Sequence, residues 1–321
     1  LTGEIDYYKK NTTDILLSVP VPGTSGFRTQ LQNIGEMENE GVEFLLNSYN
    51  FVGPFRWTTS LNLAYNDNRV VRLSEGQDII DNGGSRYMNV VMVGEAIGSF
   101  YGLEYAGVDP QNGDALFYVN QMDDNGNIIN ENATTNDPNA ANFVILGSPI
   151  PEITAGITNS FSYKGVGLDV TLQGVSGNQL HNGAGVFMSC QGCWFDNQTR
   201  DQLRAWQQPG DQTDVPEPRF FWGNGDNGRS SRYIEDGDFL RLKTVTLSYT
   251  LPESLTTRVG IQSVRIYATG QNLVTITDYS GWDPELTTDF LADADANVFN
   301  GVDFYSAPQP RTVVFGVKLG L

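Results

Sequence analysis

The sequence has a single histidine, His181, only two cysteines, and half as many basic as acidic residues, 19 against 38. Each shortage removes a class of function. The cysteines, Cys190 and Cys193 in "SCQGCW", form one C-x-x-C, at most half of a structural zinc site, and no second pair exists. They read either as a local loop disulfide or as free thiols. No histidine lies near them in sequence and no G-x-S-x-G elbow occurs, so no enzymatic role is assigned and His181, in "NQLHNGAG", reads as a polar loop residue. A net charge of −19 argues against nucleic acid as a partner, because phosphate neutralisation needs clustered Lys and Arg. No stretch approaches the roughly 20 apolar residues of a membrane-spanning helix, which excludes a helical membrane protein and leaves barrels open.

What is present favours strands. There are 35 Gly, 14 Tyr and 17 Phe in 321 residues, enough chain for one large or two ordinary domains, and no long helix-forming block. In "WTTSLNLAYN", Trp57, Thr59, Leu61, Leu63 and Tyr65 share one face, and Thr58, Ser60, Asn62, Ala64 and Asn66 the other. "GVEFLLNSY" alternates likewise, joined to it only by "NFVGPF". "ITAGITNSFSY" and "VGLDVTLQG" flank a tight Lys164-Gly165 turn, and "FLRLKTVTLSYTL" and "SVRIYATGQN" form a third pair near Pro252. In the first of these, Arg241 and Lys243 fall in register with Val245, Leu247 and Tyr249, a conflict that a β-bulge would resolve. "LTGEIDYYKK" reads as strand with no charged leader before an apolar segment, and "RTVVFGVKLGL" reads as strand to its last residue. A chain that begins in mid-strand reads as the C-terminal portion of a longer one.

Three connections are short (about 50–54, 164–165 and 252–262) and four are long (about 11–37, 69–152, 177–237 and 273–310), in strict alternation. All long connections then lie on one side of the sheet, as in outer-membrane barrels and unlike sandwiches. The count is eight strands, with "SFYGLEYAGVD" and "DALFYVN" making an extra hairpin within the second long loop. Tyr49, Phe51, Phe55 and Trp57 at one short turn, Tyr163 at the next and Tyr249 at the third suggest an interfacial aromatic belt.

Several blocks also carry a resemblance. "YYKKNTTDILLSVPVPGTSGF", "NIGEMENEGVEF", "GEAIGSFYGLEYAGVDPQNGDALFY", "LGSPIPEITAGITNSFSYKGVGLDVTLQGVSGNQL", "YIEDGDFLRLKTVTLSYTLP", "RIYATGQNLVTITDYSGWDPE" and "PQPRTVVFGVKLGL" occur in the order seen in the C-terminal part of SusC/RagA-type TonB-dependent transporters. The resemblance implies an all-β fold: a plugged transmembrane antiparallel barrel of about 22 strands, of which residues 1–321 would supply the last eight. The plug and the TonB-contacting N-terminal region would lie outside this sequence. It further implies an outer-membrane location, contact with outer-membrane lipid, energy from the TonB complex, a SusD-like lipoprotein partner, and oligosaccharide or peptide import. The terminal Leu321 departs from the aromatic residue usual in the family. The alternatives are a structural or docking role for the same barrel, or a soluble β-rich carbohydrate-binding module.

Candidate contacts follow from these readings. Trp194, Trp206, Phe220, Phe221 and Trp222 in the loop 177–237 sit among amides and carboxylates and suit stacking on sugar rings or peptide groups. Asn62, Asp169, Gln173, Arg265 and Gln271 would face the lumen. Trp282, in "GWDPE", is given a structural role. Two oxygen-rich runs, Asp123, Asn125 and Asn127, and Asp293, Asp295 and Asn297, have the alternating ligands that suit Ca2+, but neither meets the EF-hand pattern; solvated turns are the alternative.

Overall fold

In the computed structural model, the described residues are 1–320 except Arg28, Glu75, 82–86, 124–125, 191–192, 221–223, 225–227, 257–259 and 289–297. Eight strands form one antiparallel sheet in chain order: β1 (Thr2–Thr13), β2 (Glu36–Phe51), β3 (Phe55–Arg72), β4 (Ile153–Tyr163), β5 (Val166–Ser176), β6 (Phe239–Thr250), β7 (Ser263–Thr277) and β8 (Thr312–Gly320). These are the eight strands that the alternation predicts. The extra hairpin also forms, between Tyr105–Val108 and Ala115–Tyr118, inside the second long connection.

Cross-strand pairing puts partners on the same face, so the two faces can be read along rows. One row runs Leu61, Ile157, Leu172, Leu242 and Val274 from β3 to β7. Another runs Phe161, Leu168, Leu247, Ala268 and Phe315 from β4 to β8. The opposite face carries Ser160, Asp169, Thr246 and Thr269 in register, with the Thr246 and Thr269 hydroxyls 2.9 Å apart. The apolar side is bare: Phe315 is 79% exposed and Val317 63%. A soluble protein would bury so broad an apolar surface; a membrane wall must present it.

The band also has the right height. From Phe55 to Tyr65 on β3 is about 33 Å of strand, or about 25 Å along the membrane normal at a ~40° tilt, the height of an outer-membrane apolar girdle. Beyond it the same face turns charged, with Lys9 of β1 ion-paired to Glu38 (2.7 Å) and Glu40 (3.4 Å) of β2. At the short-turn end Phe51 stacks 5.9 Å from Trp57, and Trp57 stacks 5.7 Å from Phe161. Tyr49 is not part of this cluster. The β2–β3 register runs unbroken from Val42 to Tyr49, which pairs with Thr58 on the polar face, and shifts only beyond it, returning Phe51 to the apolar face.

The same physics resolves the conflict in β6. Pairing with both neighbours shifts between Leu242 and Thr244. The extra residue lets Leu242 and Val245 both face outward while Arg241 and Thr244 face the polar side. Between β4 and β5, Lys164 (φ 48°) and Gly165 (φ 86°) both have positive φ, the geometry of a two-residue hairpin turn matched to strand twist. Glycine also permits a close approach between β7 and β8: a Cβ on Gly316 would overlap the ring of its cross-strand partner Tyr267.

The buried apolar clusters among the described residues belong to the long connections and the strand ends that enter them. One joins Leu17 and Val19 to Val70, Leu73, Ile80, Val91, Val298 and Phe299; a second joins Met88, Phe100 and Val302; a third joins Leu103, Ala115 and Phe117. The long loops thus pack on one another as a folded cap at one end of the sheet.

Candidate functional site: the polar face and the loop cavity

The polar face meets the cap at one ionic cluster. Arg241 of β6 has no exposed surface, and its guanidinium donates to Glu285 (2.7 Å) and to Asp283. Lys243 donates to both Glu285 oxygens (2.9 and 3.0 Å), and Gln173 of β5 reaches the same carboxylate at 3.4 Å. Asp283 also accepts the backbone N–H groups of Glu285 and Gln309, each at 3.0 Å. Burial alone would raise its pKa, but these N–H groups and the Arg241 charge outweigh that and hold the carboxyl below its usual range. The bulge that looks like a flaw in β6 thus delivers two cations to one face, where they clamp the segment 278–285.

The clamped segment forms part of a cavity of about 620 Å³ between the loops. Its lining includes Tyr105, Met188, Arg204, Asp214, Arg232, Glu235, Trp282, Asp303 and Tyr305. The lining carboxylates already have partners. Asp214 pairs with Arg204 at 3.0 Å; Glu235 accepts from Asn182 (2.9 Å) and from the Ser280 N–H (2.7 Å) and hydroxyl (2.8 Å); Asp303 accepts from Tyr279 at 2.9 Å. Burial pushes the Asp303 carboxyl and the Tyr279 phenol above their usual ranges. Trp282 is the exception. It is 59% exposed, and among the described residues its ring stacks on no other and its N–H finds no acceptor.

Beside the cavity a three-stranded sheet joins two loops. Gln179–Asn182 pairs antiparallel with Ile234–Asp236 and parallel with Val302–Asp303. His181 lies within it, fully buried, 6.2 Å from the Phe100 ring. Burial, with a smaller push from the Arg229 charge, lowers its pKa to about 4. The unfolded chain would take up this proton near pH 6.5, so the histidine is neutral at pH 7 and carries no charging penalty there. Stability should fall as pH drops from ~6.5 towards ~4, by up to about 3 kcal/mol. Protease resistance of the loops at pH 5 and 7.5 checks this: the pH difference should shrink in His181→Leu.

The five residues expected to face the lumen all lie on the polar face. Asn62 and Gln173 share a row through Gly156, Asp169 pairs with Ser160 and Thr246, Gln271 pairs with Thr244 and Thr312, and Arg265 reaches Ser248 at 2.8 Å and Asp169 at 3.9 Å. The loop aromatics scatter. Trp194 is exposed and 5.7 Å from Phe187, and Phe220 is exposed and edge-on to Phe195 at 6.3 Å. Trp206 is buried, with its indole donating to the Pro110 carbonyl at 3.1 Å. Phe221 and Trp222 lie outside the described residues. None of Trp194, Trp206 and Phe220 lines the cavity. Cys190 and Cys193 form a disulfide with Cα atoms 5.5 Å apart.

Of the oxygen-rich runs, Asp123 accepts the Asn127 N–H (2.8 Å) and side-chain amide (3.1 Å), so both of its oxygens are engaged within the turn. Asn125, Asp293, Asp295 and Asn297 lie outside the described residues, as does Leu321. No group of three or more His, Cys, Asp or Glu among the described residues is arranged to hold a metal. Sequence reasoning missed the Arg241 cluster and the exposure of Trp282. The available signals were the two cations out of register in β6 and a Trp set between Gly281 and Asp283-Pro284.

A sheet with one lipid-like face, one polar face and all long loops at one end is a portion of a transmembrane barrel wall. Its relatives agree. The family model described as "TonB dependent receptor-like, beta-barrel" matches residues 1–159. TonB-dependent receptor P3 of Formosa agariphila is 36% identical over 335 residues, covering 98% of this chain and 32% of the receptor. TonB-dependent receptor SusC of Bacteroides thetaiotaomicron is 28% identical, covering 99% of this chain and 30% of SusC. The solved structure of the RagAB peptide transporter superposes with a TM-score of 0.79 at 29% identity, covering 99% of this chain and 33% of that one. The chain is thus part of a TonB-dependent receptor-like β-barrel of the SusC/RagA type, and it spans about a third of the length of the curated relatives it matches.

Proposed function

We propose that the chain is the C-terminal portion of the wall of an outer-membrane importer that takes up oligosaccharides or peptides with energy from the TonB complex. The observation that carries this reading is the two-faced sheet: apolar outward over about 25 Å, polar inward, with every long loop at one end. Residues 1–321 form one barrel segment, and further strands elsewhere in the protein pair with the open edges of β1 and β8, since an unpaired strand edge is not tolerated in lipid. Asn62, Asp169, Gln173, Arg265 and Gln271 line the path or contact whatever fills the lumen. A SusD-like lipoprotein closes over the loop cap, and the exposed Trp194, Phe195 and Phe220 suit contact with it. The name of the solved neighbour, a peptide transporter, favours cargo larger than a monomer.

The test is uptake by cells carrying the full-length protein. Fluorescent oligosaccharides and peptides are supplied to the parent strain, to a strain lacking this protein, and to one lacking TonB function. Import lost in both deletions is the expected result. Uptake of every tested cargo at parental rates in both, or recovery of the full-length protein in the soluble fraction, would contradict the proposal.

A further inference from the structure

The outward face is not smooth. In the row Phe161, Leu168, Leu247, Ala268 and Phe315 every residue but one is large, and Ala268 of β7 offers only a methyl group between Leu247 of β6 and Phe315 of β8. The next row towards the short turns, Val166, Tyr249, Ile266 and Val317, continues both sides. Together they flank an open groove of about 650 Å³ with Ala268 at its floor. Strands elsewhere in the full protein do not close it. They add edge to edge, so a strand paired with β8 extends the wall beside Phe315 and Val317 without covering Ala268. Whatever fills the lumen meets the other face.

The outward side chains of the groove are apolar apart from the Tyr249 hydroxyl. In a bilayer such a surface gains nothing from the hydrophobic effect, since an acyl chain is as apolar as leucine. One occupant is singled out by fit and by a fixed polar anchor. Fit comes from dispersion contacts that a flat wall does not offer. The anchor lies at the short-turn end. There Gly165 accepts the Thr250 N–H at 2.8 Å, and a Cβ on Gly165 would lie 3.3 Å from the Tyr249 ring, so the turn rests against the end of the groove. The neighbouring Lys164 holds its ammonium 5.2 Å from the centre of the Tyr163 ring, at the level of the aromatic belt. That is the depth of lipid headgroups, and short turns mark the periplasmic side of such barrels.

We infer that the groove is a discrete site for one glycerophospholipid of the periplasmic leaflet, with an acyl chain laid over Ala268 and the phosphate held by Lys164. This rests on the outer-membrane part of the proposal above, and its test needs no transport.

The full-length protein is extracted in mild detergent, exchanged until loosely held lipid is gone, and titrated with phosphatidylglycerol while bound lipid is counted by native mass spectrometry. Wild type should hold one molecule in preference to further ones. Ala268→Phe fills the floor and should weaken that binding ~10-fold or more; Lys164→Ala should do the same, as the loss of one charge-assisted hydrogen bond. Lys164→Arg should stay within about 3-fold, because the cation remains. Ile157→Phe, on the same face but outside the groove, should leave binding unchanged. Heat-modifiable mobility on gels shows that each variant is a closed barrel. Equal affinity in wild type and Ala268→Phe, an equal loss in Ile157→Phe, or indifference to Lys164→Ala would each overturn the inference. So would retention of lipid A in place of phospholipid, or self-association that Ala268→Phe abolishes. Full-length protein recovered in the soluble fraction would instead contradict the outer-membrane reading, and the inference with it.

Discussion

Replacing Arg241 with methionine should open the strap 278–285 from the sheet at a cost of about 3–5 kcal/mol, the penalty for breaking a buried ion pair by removing one partner. The reason is the orphaned charge. Asp283 is 5% exposed and Glu285 is partly covered, and without the guanidinium Asp283 keeps only backbone N–H donors. Lys243 still reaches Glu285, at 2.9 Å, but neither Asp283 oxygen. The effect should be local: faster proteolysis in the loop 278–311, by roughly 100-fold or more for an opening equilibrium shifted this far, with the barrel itself unchanged. Adding Asp283→Leu to Arg241→Met should restore much of the protection, because an apolar pair of similar size has no charge to desolvate. The linkage sign is fixed by the direction of the shift. Asp283 has a folded pKa below its unfolded value, so its contribution is present above the unfolded pKa and is lost as pH falls through the folded one. Arg241→Met should weaken that acid dependence, because Arg241 is one of the groups that hold the carboxyl down.

The second large effect concerns the outward face. Leu172, on β5 in the row with Leu61, Ile157 and Leu242, lies midway up the apolar band. Leu172→Arg should destabilise the full-length barrel by about 2–4 kcal/mol, the cost of a cation at the bilayer midplane of such a protein. Its neighbour Thr171 points the opposite way, with its hydroxyl 3.0 Å from that of Thr158. Thr171→Arg should cost far less, since a polar lumen solvates the charge. Urea unfolding of both variants in detergent or lipid vesicles gives the comparison, and equal losses would mean that the two faces do not differ in environment.

How much of this was legible beforehand follows from what each feature depends on. The eight strands and their order were readable because a period-two pattern is local, and a short turn such as Lys164-Gly165 fixes the partner and the register together. The bulge in β6 was visible as a contradiction, Arg241 and Lys243 in register with Val245, but its purpose was not. Its partners Asp283 and Glu285 lie some forty residues on, and nothing local joins a strand to a loop that folds back over it. Trp206 shows the reverse: an aromatic among amides reads as a contact surface, yet its burial against Pro110 and Gly113 is decided by loop packing that no periodicity reports. Tyr49 keeps the parity of its strand and so lies on the face opposite Val42 and Phe44; it is Phe51 that a single shifted residue returns to the apolar face, below the resolution of pattern reading.

The central claim, that one face of this sheet meets lipid and the other does not, is tested most directly by a spin-label scan of β5 in the full-length protein in lipid vesicles. Labels are placed one at a time at Leu168, Asp169, Val170, Thr171, Leu172 and Gln173, and their collision rates with oxygen, which concentrates in the bilayer, are measured. The structure predicts a period of two, with high oxygen exposure at 168, 170 and 172 and low exposure at 169, 171 and 173. Uniform exposure along the strand, or maxima at the odd positions, would contradict the account.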